Sequence, residues 1–398
     1  MAGGSRAQRL AARRAERRTA ALRAAMVAAA SVVAAVGTAT GLVSALADPP
    51  GAVEAGPETV RAPRVAQARP EPSSPSPTPS PTASPAAPSP EPTVRASPSP
   101  SPTPSGRRPA PSRLYRHPDS QVLDWVRAHP DDPRTAVITS RIADRPAAVW
   151  FADFTPATIA SRVRAVTSGA AAQGQVPVLV PYAIPDRDCG GASEGGAPDL
   201  AAYDDWIDAF AAGLGSGEVV VVLEPDSVAQ ADCLSRSARA ERFASLERAG
   251  RVLKAADPKA RVYYDAGHSG WNAPDRQAAL LRQAGAGSAD SSDGVFSNVS
   301  NFHTTAAEIA YDRRVLAELG GPAGLGAVID TSRNGNGAPA DDAWCDPAGR
   351  GIGRAPTLGT GQARIDAYLW VKLPGESDGC KGTPGTFSPS YAYDLASS

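Results

Sequence analysis

The chain has 398 residues, with 40 Lys and Arg against 41 Asp and Glu and a formal net charge of −1. Residues 1–23 hold seven arginines and a single acid, so the remainder carries 33 basic against 40 acidic side chains. An acidic remainder excludes the basic footprint that nucleic-acid binding requires. The four cysteines include no Cys-x-x-Cys pair, and the sequence predicts neither a metal site nor a cofactor.

The first 113 residues lack the composition of a folded domain. A basic head, an uncharged run over residues 24–47 and the small residues Ala45-Leu46-Ala47 are typical of a signal peptide. The uncharged run is also long enough to span a bilayer, so residues 1–47 are either a cleaved signal peptide or a membrane anchor. Residues 48–113, rich in Pro, Ser and Thr, are predicted to be a disordered linker. We therefore expect a protein that is secreted or tethered to the membrane by residues 24–47.

From residue 114 onward, strand-like and helix-like segments alternate, and these residues are predicted to form one domain. The predicted strands are the runs 147–154, 176–184, 218–223, 261–265, 294–299, 326–331 and 367–372. The predicted helices are the segments 155–173, 199–214, 235–256, 275–284 and 306–319. This alternation indicates an α/β fold with a parallel sheet, and seven strands predict a barrel that is one strand short of the usual eight.

Acidic residues follow five of the predicted strands. The apolar run 219–223 ends at Glu224-Pro225-Asp226, where Asp226 is either a helix cap or an acid at the rim of the barrel. The C-terminal ends of parallel strands share one rim, so acids after several strands favour a catalytic cluster. Crowded carboxylates raise some pKa values and leave other groups ionised, which provides both an acid and a base.

Aromatic residues are interleaved with these acids. Trp271 and Trp344 fall in Gly-rich loops outside the strands, which favours exposed faces for stacking on sugar rings, although a single Trp is more often a core residue. The sequence has no dinucleotide-binding glycine motif, no phosphate loop and no Gly-x-Ser-x-Gly, and so the dinucleotide-binding and serine-hydrolase classes are excluded.

Residues 115–396 resemble the catalytic domain of glycoside hydrolase family 6. The resemblance rests on six motifs in the order of the family, at residues 182–189, 224–226, 264–268, 330–335, 344–350 and 372–380. It implies a catalytic domain over residues 114–398, folded as a distorted seven-stranded parallel β/α barrel. It also implies an inverting hydrolysis of β-1,4-glucosidic bonds.

The resemblance also implies roles for individual residues. Asp226 would be the general acid, and Asp265 would raise its pKa and stabilise charge on the sugar. Asp188 would influence Asp226 or receive a proton through water. Asp378 matches the proposed base, which a relay of water molecules could replace, and Tyr182 would favour distortion of the sugar. The positions expected to contact the substrate are Trp150, His268, Trp271, Asn301, Trp344, Arg350, Lys372 and Glu376.

The family pattern pairs Cys189 with Cys233 and Cys345 with Cys380. Each bridge would hold a loop that carries an acid, Asp188 in the first case and Asp378 in the second. A purely stabilising role is equally compatible with this pairing.

Two departures from the family pattern concern residues near the expected cleavage point. Counting without gaps places Glu194, with Ser193 beside it, where relatives offer a serine that positions the attacking water. Phe302-His303-Thr304 follows Asn301 where relatives often have a tyrosine and a nearby tryptophan. The role of Glu194 and the sugar contacts beyond the cleavage point are therefore left open.

Short loops after Cys189 and between Asp330 and Asp378 favour an open cleft and endo action. Our hypothesis is an inverting endo-β-1,4-glucanase for cellulose and related β-1,4-glucans, acting as a monomer. The alternatives are an exo-acting cellobiohydrolase and a catalytically weak glucan-binding wall protein. The intact acids argue against the latter. The sequence has no recognisable cellulose-binding module, so we expect better activity on amorphous or soluble β-glucan than on crystalline cellulose.

Overall fold

The computed structural model describes residues 114–398. The predicted signal peptide or anchor at residues 1–47 and the predicted linker at 48–113 lie outside the described residues. Among the described residues, no helix combines the length and the apolar character that crossing a membrane requires.

Seven strands form one parallel sheet in which each strand pairs with the next along the chain. They are β1 Val149–Phe151, β2 Val178–Pro181, β3 Val219–Leu223, β4 Ala260–Asp265, β5 Gly294–Ser297, β6 Gly326–Asp330 and β7 Ile365–Leu369. All seven predicted strands are present, and most are shorter than the sequence pattern indicates. The prediction of a distorted seven-stranded parallel β/α barrel is confirmed.

The sheet curls into a half-barrel, and β1 and β7, both within the described chain, form no ladder with each other. Two hydrogen bonds beside these strands join the edges. The backbone N–H of Ala148 donates to the carbonyl of Trp370 at 2.9 Å, and the indole N–H of Trp150 donates to the carbonyl of Val371 at 2.7 Å. The main cleft of the described chain crosses this seam, because residues from both edges line it.

Helices cover the outside of the sheet and close its seam. They are α1 Gln121–Ala128, α2 Thr135–Ile138, α3 Ile159–Ala172, α4 Leu200–Ala211, α5 Arg236–Ala256, α6 Pro274–Gln283, α7 Thr305–Leu319 and α8 Pro389–Ser397. The five predicted helices correspond to α3 to α7. Side chains of Asp199, Ser235 and Thr304 accept N–H bonds at the starts of α4, α5 and α7, as expected of N-cap residues.

The pattern of alternation did not reveal α1, α2 and α8, because none of them lies between two strands. They pack together through Val122, Ile138 and Ala392, which form a small apolar cluster with Trp370 beside the seam. The indole N–H of Trp370 donates to the carbonyl of Arg354 at 3.0 Å. This tryptophan is therefore a core residue.

The strand β3 is buried on both faces, which explains its uninterrupted apolar sequence. Val220 and Val222 point into the half-barrel, where they pack with apolar residues of the other strands. Val219 and Val221 point outward to the layer of helices. Burial of each valine contributes about 1.5–3 kcal/mol of hydrophobic free energy, which stabilises the strand that leads to Glu224.

Candidate active site

A cleft of about 1290 Å³ crosses the carboxyl ends of the strands. It is lined by most of the side chains that the sequence predicted as site residues: Trp150, Tyr182, Asp188, Asp226, His268, Trp271, Asn301, Trp344, Lys372, Glu376 and Asp378. Asp265 and Arg350 are not part of its lining. The rim of the barrel thus brings together polar residues that follow six different strands.

The chain turns sharply where β3 ends, and this turn directs Asp226 into the cleft. Glu224 and Asp226 have φ angles of 49° and 68°. Residues other than glycine rarely adopt this backbone conformation. The buried carboxyl of Glu224 stabilises the turn by accepting the N–H groups of Ala183 and Ile184 at 2.9–3.0 Å. Asp226 does not cap a helix, since the following helix α5 is capped by Ser235.

Burial and neighbouring charge favour the protonated form of Asp226 at neutral pH. Its pKa is raised to about 8, first by burial and then by the nearby carboxylates of Asp265 and Asp188. The hydroxyl of Tyr182 donates to it and opposes this shift. A carboxyl group that is protonated at pH 7 and faces a cleft can act as a proton donor.

Asp265 lies beneath the cleft and is 2% exposed. One of its oxygens accepts the N–H groups of Val228 and Ala229 at 3.1 and 2.8 Å, and the other accepts the N–H of Gly267 at 2.9 Å. Burial raises the pKa of Asp265 and these donors lower it. Because the N–H donors stabilise the anion, we place the proton of this pair on Asp226.

Asp188 lies on the loop after β2, which the Cys189–Cys233 disulfide joins to the segment after β3. Its carboxylate accepts the N–H of Ser193 at 2.7 Å. The sequence had placed Ser193 and Glu194 in this loop, and both line the cleft. The bridge therefore holds a carboxylate close to Asp226, as the predicted pairing implied.

Arg187, which the sequence did not mark as functional, connects this loop to the sheet. Its guanidinium donates to the carbonyls of Ala152 and Tyr182 and, at 2.8 Å, to that of Ser193. It also lies 4.5 Å from the centre of the Tyr182 ring. On its other side, Tyr182 meets Trp150 edge to face at 5.3 Å. These contacts fix the phenol beside Asp226.

Asp378 forms a second charged cluster on the wall of the cleft. Its carboxylate contacts Nη1 of Arg333 at 2.7 Å and Nζ of Lys372 at 3.4 Å. The adjacent Cys345–Cys380 disulfide ties this segment to the loop after β6. Burial raises the pKa of the nearby Glu376 to about 7, although Lys372 and Arg333 oppose the shift. Asp378 is thus paired with two cations.

Aromatic side chains occupy a further part of the cleft. The rings of His268 and His303 stack at 4.3 Å, and Trp271 lies 5.3 Å from His268. Burial lowers the pKa of His268 to about 4, so this ring is neutral at pH 7. Trp271 and Trp344 are 37% and 60% exposed, as sugar-stacking faces would be.

Arg350 braces a loop instead of lining the cleft. Its guanidinium donates to the carbonyl of Ala348 at 3.3 Å and to that of Gly337. The structure therefore gives Arg350 a role within the loop after β6, and substrate contact by this residue stays a prediction.

Several residues that shape the site were missed because their partners are distant in sequence: Arg187, Glu224, His303, Arg333 and Asp346. All of them except His303 belong to motifs that carried the resemblance, but nothing in the sequence showed which groups they contact. The described residues contain no group of three or more His, Cys, Asp or Glu that could hold a metal ion.

Comparisons with known proteins agree with this geometry. The sequence profile of "Glycosyl hydrolases family 6" matches residues 108–394. Endoglucanase 1 of Streptomyces sp. (strain KSM-9) is 52% identical over 293 residues, which are 73% of this chain and 80% of the relative. Endoglucanase A of Thermobispora bispora is 50% identical over 286 residues, which are 72% of this chain and 62% of that longer relative.

Among solved structures, the endoglucanase Cel6 of Mycobacterium tuberculosis, in complex with a methyl-cellobiosyl-4-deoxy-4-thio-β-D-cellobioside, is 42% identical. The match has a TM-score of 0.66 and covers 72% of this chain and 97% of that one. A cleft that holds several carboxyl groups is compatible with a glycoside hydrolase, which uses a pair of them. The chain belongs to glycosyl hydrolase family 6, which confirms the resemblance that the sequence motifs indicated.

Proposed function

We propose that this protein is an inverting endo-β-1,4-glucanase that hydrolyses cellulose and related β-1,4-glucans. The observation that carries the proposal is the raised pKa of Asp226, about 8, in the same cleft as an Asp378 paired with two cations. An inverting hydrolase needs one carboxyl to donate a proton and a separate carboxylate to receive the proton of the attacking water. The ends of β3 and the segment after β7 supply these two groups.

In the proposed reaction, Asp226 donates its proton to the glycosidic oxygen as the bond to the anomeric carbon breaks. Asp188 and the buried Asp265 keep that proton in place beforehand, because each adds negative charge nearby. Water attacks the opposite face of the sugar and its proton passes to Asp378, directly or through further water. The phenol of Tyr182 lies beside Asp226, where it can press on the sugar and favour its distortion.

Sugar rings beyond the scissile bond would stack on the aromatic faces of the cleft. Trp271 and Trp344 are exposed enough to offer such faces, and the amide of Asn301 and the ammonium of Lys372 also line the cleft. An aromatic ring offers an apolar face, and the amide and ammonium groups offer hydrogen bonds. This combination suits a β-1,4-glucan chain, whose sugar rings have apolar faces and polar edges. The names of the two relatives and of the structural neighbour support endo action on such chains.

We further propose that the protein acts outside the cell as a monomer. Two disulfides within the described residues are expected of a protein that matures in an oxidising compartment. The basic and uncharged residues before Asp48 support export. Cleavage of this segment, or its retention as an anchor, is tested by the N-terminal sequence of the protein recovered from culture medium and from membranes.

The experiment that tests the function compares the viscosity of carboxymethyl cellulose with the reducing ends released from it. Endo action predicts a steep fall in viscosity while few reducing ends have appeared, since internal cuts shorten chains most effectively. Reducing ends with little loss of viscosity would establish the exo-acting alternative. Binding to the glucan without release of reducing ends would establish the glucan-binding alternative.

A further inference from the structure

Asp346, in the loop after β6, accepts four hydrogen bonds from the segment that carries Asp378. One oxygen accepts the hydroxyl of Ser377 at 2.6 Å and the N–H groups of Cys380 and Lys381 at 3.0 and 2.8 Å. The other oxygen accepts the N–H of Asp378 itself at 2.8 Å. The segment is thus wrapped around a single carboxylate.

The relation between the two aspartates is reciprocal. The carboxylate of Asp378 accepts the N–H of Asp346 at 3.2 Å. Nη1 of Arg333 lies between the two carboxylates, 2.7 Å from Asp378 and 3.9 Å from Asp346. The side chains of Arg333 and Asp346 are 0% exposed and that of Asp378 is 8% exposed. Only Asp378 of the three lines the cleft.

We propose that Asp346 is a positioning residue for the reaction: its carboxylate fixes Asp378 on the wall of the cleft and shares Arg333 with it. The proposal rests on the proposed function, in which Asp378 receives the proton of the attacking water. Asp346 does not line the cleft. It acts through its hydrogen bond with the N–H of Asp378 and through the guanidinium of Arg333.

The charge of Asp346 matters as well as its hydrogen bonds. The titratable and charged groups that face Asp378 are Arg333, Lys372, Asp346, Glu376 and Tyr391. Burial raises the pKa of Asp346, but its hydrogen bonds outweigh burial and lower the pKa, so Asp346 is ionised and adds a negative charge beside Arg333. Without the negative charge of Asp346, Arg333 would act on Asp378 alone.

The substitution Asp346→Asn separates these effects from general packing. The amide oxygen can keep the three donors of Ser377, Cys380 and Lys381, but the amide nitrogen then faces the N–H of Asp378, donor against donor. We expect kcat on soluble β-glucan to fall roughly tenfold to a hundredfold, with KM changed by less than about twofold. The acidic limb of the pH–rate profile should move to lower pH, because the two cations beside Asp378 lose a second negative charge.

Asp366→Asn is the matched control. Asp366 is a partly buried carboxylate of β7 that accepts the hydroxyl of Tyr263 at 2.8 Å, and it does not line the cleft. We expect this substitution to lower the melting temperature while kcat and the pH profile stay unchanged. Equal losses of kcat in the two variants, or an Asp346→Asn profile that does not move, would overturn the proposal.

A double-mutant cycle with Asp378→Asn distinguishes this proposal from the function on which it rests. If Asp346 acts through Asp378, Asp346→Asn should change kcat little once Asp378 has been replaced. Fully additive losses would overturn the positioning role and leave the base assignment intact. Full activity of Asp378→Asn alone would overturn the base assignment and the positioning role with it.

The variant Ser377→Ala keeps the test decisive if Asp346→Asn does not fold. It removes one donor to Asp346 and loosens the same segment, but it leaves both negative charges in place. We expect a several-fold loss of kcat with no shift of the acidic limb. Unchanged kcat in Ser377→Ala would contradict the proposal.

Discussion

The proton on Asp226 illustrates how position, more than residue type, sets the chemistry of a side chain. Asp226 and Asp188 are both aspartates that line one cleft, yet burial and neighbouring charge raise the pKa of Asp226 to about 8. Asp188 is one of the charges responsible for that shift. The sequence indicated a cluster of acids, and the structure surrounds Asp226 with the burial and negative charge that favour its protonated form.

Replacing Asp226 should impair the step in which the leaving oxygen is protonated. Asp226→Ala should lower kcat on native β-glucan by about 10²–10⁴-fold, because the leaving oxygen then departs without a proton. Activity on an aryl cellobioside with a good leaving group should be largely kept, since that group needs no proton. Steady-state rates on the two substrates measure the difference.

The matched control is Asp290→Ala, which removes an exposed carboxylate outside the cleft and should leave both rates unchanged. Equal loss on both substrates in Asp226→Ala would assign the acid role to another residue.

At this scale, the sequence revealed residue types and their order but not their partners. Asp188, Asp226, Asp265 and Asp378 were predicted from their positions after strands, and three of them line the cleft. The contact between Arg333 and Asp378 joins residues 45 positions apart, and no local pattern encodes it. Buried ion pairs of this kind require the fold.

At the scale of elements, the strand–helix alternation predicted the sheet and five of its helices. Several predicted strands were too long at their ends because the chain leaves the β region there, as Asn298 does after β5 with a φ angle of 65°. Apolar side chains continue past these turns, so hydrophobicity alone cannot mark the last residue of a strand. Helices α1, α2 and α8 were missed because none of them lies between two strands, where the alternation would have indicated a helix. They pack beside the seam instead.

The loop after β2 should depend on its disulfide for both stability and activity. Replacing both Cys189 and Cys233 by serine should lower stability by about 2–4 kcal/mol, since the bridge restrains the unfolded chain. It should also lower kcat on glucan, because Asp188 lies on this loop beside Cys189 and helps to keep the proton on Asp226. Thermal unfolding and steady-state kinetics measure the two effects separately.

If the bridge only stabilises the fold, the double variant will lose melting temperature but keep its kcat and its pH profile below the unfolding transition. That result would remove the link between this disulfide and the acid. The variant with Cys345 and Cys380 replaced by serine is the comparison, because it removes the bridge beside Asp378 and leaves the bridge beside Asp188 in place.

At the scale of the whole molecule, several buried acids have raised pKa values that should make stability depend on pH. The pKa is about 7 for Glu224 and Glu376 and about 8 for Asp226, all above the values of unfolded acids. Between pH 6.5 and 8.5 the folded state therefore holds protons that the unfolded state has lost, and its stability falls as these protons dissociate. His268, with a pKa lowered to about 4, is neutral in both states over most of this range.

We expect the melting temperature to fall by about 5 °C between pH 6.5 and 8.5. Scanning calorimetry across this range measures the shift, and Glu224→Gln should make the dependence shallower because one of the titrating groups is removed. A melting temperature that rises over this range would contradict the assignment of these protons to the folded state.

The central claim is that water attacks the sugar on the face opposite the bond that breaks, with Asp226 as the acid. The most direct test is proton NMR of the first products released from cellohexaose, recorded before the anomers equilibrate. With inversion, the new reducing end should appear first as the α-anomer and then convert to the equilibrium mixture. Initial release of the β-anomer would show retention of configuration and would contradict the proposed roles of both carboxyl groups.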